Sequence, residues 1–165
     1  IVVRLVGSEM CIRDRDMAFQ AGVILVARCI DGDGGVRHVC GGQGTSIVGL
    51  LEDQVAVALA LWALGERSGV AHFAREAARV ANFMERRLGG DSAFYDRVAS
   101  IGPLMRNFSY RDDGRPSGNA LVLEFYGQRG DAGRLAALAK KELRRVPSRA
   151  YSSWARAALY YDKTL

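Results

Sequence analysis

LLEDQVAVALALWALGE, residues Leu50 to Glu66, is the stretch on which the fold turns. Val55, Ala58, Leu59 and Trp62 recur at helical spacing on one side, and Val57, Leu61 and Leu64 fill the other. A helix apolar on nearly all sides has to be buried. The run is shorter than the ~20 apolar residues of a membrane span. It also opens on two carboxylates, Glu52 and Asp53, so its burial is expected inside a protein core and not in a membrane.

Working outward, Ser68-Gly69 reads as a turn, and Val70 to Leu88 as a helix of different character. Phe73, Ala77, Val80, Ala81 and Met84 stripe one face, with Arg75, Glu76, Arg79, Asn82, Glu85 and Arg86 opposite, so one side meets water. Gly89-Gly90 ends it. Pro116-Ser117 opens a second apolar helix over Ala120 to Tyr126. Asp131 is a candidate N-cap for a one-sided helix to Val146, and Tyr151, Trp154, Ala155, Ala158 and Leu159 mark a last one. Upstream, Met17, Ala21, Ile24, Leu25 and Cys29 outline a helix over Asp16 to Ile30, which Gly22 weakens. The glycine-rich span Asp31 to Gly49 holds the short alternating piece Val36-Arg37-His38-Val39, a brief strand or hairpin between loops. Asp31-Gly-Asp33-Gly-Gly lacks the later ligands of a calcium loop, and Gly41-Gly-Gln-Gly-Thr-Ser lacks the Lys of a phosphate loop. Both read as connections.

The order repeats. A strand fragment, an all-apolar helix, a glycine turn and a one-sided helix occur over 36–88 and again over 94–146. Stacked units of this kind predict an all-α fold in two layers, with apolar helices inside, one-sided helices outside and strand fragments in the loops. Open solenoids and closed helical toroids both satisfy the pattern. Inner helices entered from equivalent fragments begin at the same end. Glu52, Asp53 and Gln54 are therefore expected at one rim with Asp112, Asp113, Ser117, Gly118 and Asn119. Carboxylates from two helix starts around a concave rim match the acid and base pair of sugar chemistry. Acids at a first turn are also favoured simply by the helix dipole. Of the two histidines, His38 can face the rim and His72 sits beside the exposed stripe. Trp62 and Trp154 lie on core faces by spacing.

The chain has 165 residues, of which 49% are hydrophobic and 25% charged, the balance of a globular domain or a piece of one. The net charge of +5 is carried by Arg spread along the chain, without the basic block and interleaved aromatics of a nucleic-acid interface. Cys11, Cys29 and Cys40 form no CxxC pair and no metal-ligand spacing, so reduced thiols in a cytoplasmic protein are expected, with no metal and no cofactor. Asn107-Phe108-Ser109 has the glycosylation acceptor pattern, but no secretory signal accompanies it.

Four elements together resemble one family. Gly-Val-Arg-His38, Gly49-Leu-Leu-Glu-Asp-Gln54, Phe94-Tyr-Asp96 and Asp113-Gly-Arg-Pro-Ser-Gly-Asn119 look like the C-terminal region of the thioredoxin-domain proteins related to spermatogenesis-associated protein 20. The resemblance covers residues 33–146. It implies an upstream thioredoxin-like domain, followed by an (α/α)6 toroid similar to six-hairpin glycosidases and linked to carbohydrate metabolism. On it, Asp53, Glu52 and Asp113 are the candidate catalytic residues, and His38, Tyr95, Ser117 and Asn119 the candidate carbohydrate-binding ones. Gln54 departs from the Tyr that often follows the acids, and the thioredoxin-like part is not in this chain. About two and a half hairpins of such a ring are expected over residues 16–165, too few to enclose a pocket, so the chain alone is not expected to be an enzyme. Residues 1–15, containing VGSEMCIRDR, resemble a translated sequencing-adapter peptide of the kind found on metagenomic fragments, and are expected to be a leader of arbitrary structure. The competing class is an open helical-repeat module that binds a protein on its concave face. A weaker third is nucleic-acid binding through the basic helix at 131–146.

Overall fold

The computed structural model describes residues 2–41, 46–91, 93–99, 106–108, 116–131 and 152–162. Helix α1 spans Val2–Ile24 and passes into a π-helical segment, Leu25–Cys29. Then come α2, Leu51–Ser68; α3, Ala71–Arg87; α4, Gly118–Gln128; and α5, Ser152–Asp162. The described residues are mainly helical and hold no strand beyond isolated bridges, as an all-α fold requires. No helix among them is long and apolar enough to cross a membrane. The expected helix from Asp131 to Val146 lies, beyond Asp131 itself, outside the described residues, as do Asp112 and Asp113. The boundary at residue 15 falls within α1, which runs unbroken across it.

A left-handed cap makes the first hairpin. Gly69 takes φ +71°, and its N–H donates to the Gly65 carbonyl at 3.0 Å, which turns the chain at once into α3. Every residue of the expected α3 stripe, Phe73, Ala77, Val80, Ala81 and Met84, is buried, and Phe83 joins them. On α2 the inward face is Leu51, Gln54, Val55, Ala58 and Leu61. The other side is only half-buried at Val57, Leu59, Trp62 and Leu64, and Ala56 and Ala60 are exposed, so α2 is less sheathed than its composition implies.

Helices α2 and α4 run parallel in matched register. At their starts Gly118 lies against Leu51, so closely that a Cβ there would stand 2.9 Å from Leu51 Cδ2. At their far ends the Arg129 guanidinium covers the Trp62 ring at 5.6 Å. The two pairs are equally spaced along the chain, 51 to 62 and 118 to 129. Tyr126 reaches from α4 to donate its hydroxyl to Glu85 on α3. On α5, Ser153, Trp154 and Ala157 are buried, whereas Ala155 and Leu159 are exposed. That face is rotated from the expected one, and Arg156 pairs with Glu124 of α4 at 2.8 Å.

The strand fragments join into a single ribbon across the helix starts. Antiparallel bridges link Ile30 to Val36, Arg37 to Val48, Leu50 to Arg97, and Tyr95 to Phe108. Both fragments predicted from sequence, at 36–39 and 94–96, are on it.

Candidate functional site

The ribbon decides where the polar residues go. Leu51 N–H donates to the Asp96 carbonyl at 2.9 Å, which fixes the first turn of α2 beside the second fragment. His38 N–H donates to the Ile47 carbonyl at 2.8 Å, which holds the first fragment over the same turn. In that position His38 Nδ1 is 2.9 Å from Asp53 Oδ2. The His38 side chain is 49% exposed and that of Asp53 25%. An ionised carboxylate can only accept, so in this contact Nδ1–H of His38 donates to Asp53 Oδ2. Glu52, on the same turn, is exposed.

The other candidates are placed differently. Ser117 and Asn119 open α4 next to Leu51, at the expected rim, but both point into protein, with 1% and 3% exposure. Asn119 Oδ1 accepts from Phe94 N–H at 2.8 Å, and its Nδ2 donates to the Phe94 carbonyl at 3.0 Å. It clamps the second fragment onto the start of α4. Tyr95 stacks on Phe108 with centroids 4.5 Å apart, and Arg106 covers its other face at 4.0 Å, so neither side of the ring offers an open platform. Asp113 is outside the described residues. The structure thus joins His38 to Asp53, sets Ser117, Asn119 and Tyr95 around them as framework, and leaves the second carboxylate undescribed. Among the described residues no three His, Cys, Asp or Glu side chains gather as a metal site.

Two ties to the fragment that carries His38 add to the site, the first from Gln54, which was expected at the rim, and the second from a cysteine pair. Gln54, fully buried one residue beyond Asp53, donates from Nε2 to the Val36 carbonyl at 3.2 Å, tying α2 to the fragment that carries His38. Its Oε1 and the Nε of Arg97 are buried without a hydrogen-bond partner. Cys29 and Cys40 are joined by a disulfide, their Cα atoms 5.2 Å apart, which corrects the expectation of reduced thiols. The two cysteines flank the Val36–Val39 alternation, expected as a brief strand or hairpin, and its pairing with Ile30 brings them together. No protein-family model, curated protein or solved structure matches the chain.

Proposed function

We propose that the chain is part of an (α/α)6 toroid of the kind found in the thioredoxin-domain proteins related to spermatogenesis-associated protein 20, and that its rim binds a carbohydrate. The single observation that carries this reading is the meeting of His38 with Asp53 at the first turn of α2, beside the start of the parallel helix α4. A fixed carboxylate and imidazole at the mouth of a helical ring hold and orient sugar hydroxyls, and move a proton between them. Asp113, five residues ahead of α4 in the sequence, is the proposed second carboxylate. Turnover belongs to the complete ring, with an upstream thioredoxin-like domain in the parent protein. The proposed compartment is the cytoplasm, where a disulfide is transient and redox-active more often than structural.

Saturation-transfer NMR with a panel of mono- and disaccharides tests the site in this chain, and turnover tests it in the parent. Sugar signals lost in Asp53→Asn and in His38→Gln, with melting unchanged, support the reading. A panel that binds neither the chain nor the parent refutes it.

A second reading rests on a different place. A groove of ≈ 620 Å³ between α1 and the far end of α2, lined by Phe19, Gly22, Leu25, Ala60 and Leu64, suits an apolar protein segment, as in a helical-repeat interaction module. Leu64→Asp would then abolish partner binding and leave the rim intact.

A further inference from the structure

We propose that the Cys29–Cys40 bond is a thiol-exchange site that governs whether His38 stands on Asp53. Cys29 ends the π-helical segment and is 2% exposed, whereas Cys40, two residues after His38, is exposed. Between them the chain doubles back through the Ile30 to Val36 bridge and the Arg37 N–H bond to the Cys29 carbonyl, 2.8 Å. Arg37 is the last residue so anchored to the buried side. From His38 onward the segment is held by His38 N–H on the Ile47 carbonyl and Val39 N–H on Ser46 Oγ at 3.1 Å, both near solvent. The disulfide is the one covalent tie between this outer end and the core, closing a loop of sequence separation 11. The pair His38–Asp53 is too exposed to hold the loop unaided.

Access dictates the chemistry. The thiolate of an external dithiol approaches Cys40 Sγ from the solvent side, along the sulfur–sulfur axis, and forms a mixed disulfide with it. The bond between the protein sulfurs breaks, and Cys29 Sγ leaves as a thiolate that takes up a proton. The second thiol of the dithiol then displaces Cys40, which is likewise protonated, and the reagent departs as a disulfide. Two electrons and two protons have passed to the protein, and an oxidised dithiol reverses the exchange. Reduction frees residues 38–40 and opens the pair. The consequence for sugar binding rests on the function proposed above, but the release of the loop does not.

The test uses the full chain with Cys11→Ser, so that two thiols remain to be counted. Purified without reductant, it should resist alkylation. After dithiothreitol it should take up two alkyl groups, Cys40 before Cys29. Amide hydrogen exchange at His38 should accelerate about tenfold to a hundredfold on reduction and equally in Cys40→Ser, while Val80 in α3 keeps its protection. Free thiols in the unreduced chain overturn the proposal, as does a His38 amide that exchanges at the same rate in both states. Loss of sugar binding with an intact bond and an unchanged His38 amide would speak against the carbohydrate reading and not against the exchange site.

Discussion

Removing the amide of Asn119 should destabilise the protein far more than its place in a polar helix start implies. The side chain is 3% exposed and makes two bonds to one backbone unit, at 2.8 Å and 3.0 Å, on a residue that is itself buried. Truncation to Ala withdraws both partners from Phe94, and each buried group that loses its bond costs about 1–3 kcal/mol. Together with the small void, Asn119→Ala should cost about 2–6 kcal/mol, a large share of the roughly 5–15 kcal/mol that holds a domain. At about 2–4 °C per kcal/mol for a chain of this size, the melting point falls by roughly 4–24 °C. Asn119→Asp sharpens the test. It preserves the acceptor toward Phe94 N–H but sets a carboxylate oxygen against the Phe94 carbonyl, so it should be at least as damaging as Ala despite its shape. Urea denaturation of the three proteins, with slopes compared, measures the effect. A loss below about 1 kcal/mol for Ala, or Asp as stable as the parent, would refute the clamp and return Asn119 to the ligand face.

Other expectations follow from single contacts. Gly118→Ala should cost about 1–3 kcal/mol because its Cβ would meet Leu51 Cδ2 at 2.9 Å, and the penalty should shrink in a Leu51→Ala background, read as coupling in a double-mutant cycle. Gly69→Ala, where a Cβ meets nothing within 4 Å, isolates the backbone at φ +71° and should cost about 1 kcal/mol by chemical denaturation. Cys40→Ser should lower stability by about 3 kcal/mol from lost loop constraint, a difference that disappears when both proteins are unfolded in reductant.

What was legible in the chain followed how local its physics was. The stripe of α3 was readable residue by residue, because apolar and charged side chains alternate there with helical period and one face must be dry. The turn at Gly69 and the opening of α4 after Pro116-Ser117 were equally local. The meeting of the two helix starts was legible one level up, from the repeated order of elements, and the Leu51–Gly118 contact is its packing counterpart. Asn119 shows where that reasoning stops. A polar residue at a first turn can face out or in, and only Phe94, 25 residues earlier, decides it. On α5, Ala155 and Ala157 lie on different sides, and spacing around Trp154 alone did not choose the buried face of Ser153, Trp154 and Ala157. The Cys29–Cys40 bond was not legible because a strand or hairpin at Val36–Val39 does not by itself name its partner, and the pairing of Val36 with Ile30 is what brings the two cysteines together.

The relative strengths of the contacts at the rim separate what builds it from what it is for. A carboxylate and an imidazole at 2.9 Å, with side chains 25% and 49% exposed, are screened by water and contribute about 0–1 kcal/mol. That is less than the constraint of the disulfide, and no more than the buried Gln54 bond to Val36. His38 is therefore delivered to Asp53 by the ladder, Gln54 and Cys40, and the pair does little to keep itself together. Framework changes such as Asn119→Ala should accordingly lower stability, whereas Asp53→Asn should change the unfolding free energy by less than about 1 kcal/mol and act on binding alone. A large stability loss in Asp53→Asn would show the pair to be one more brace of the ribbon, and would leave Glu52 as the exposed carboxylate of that turn.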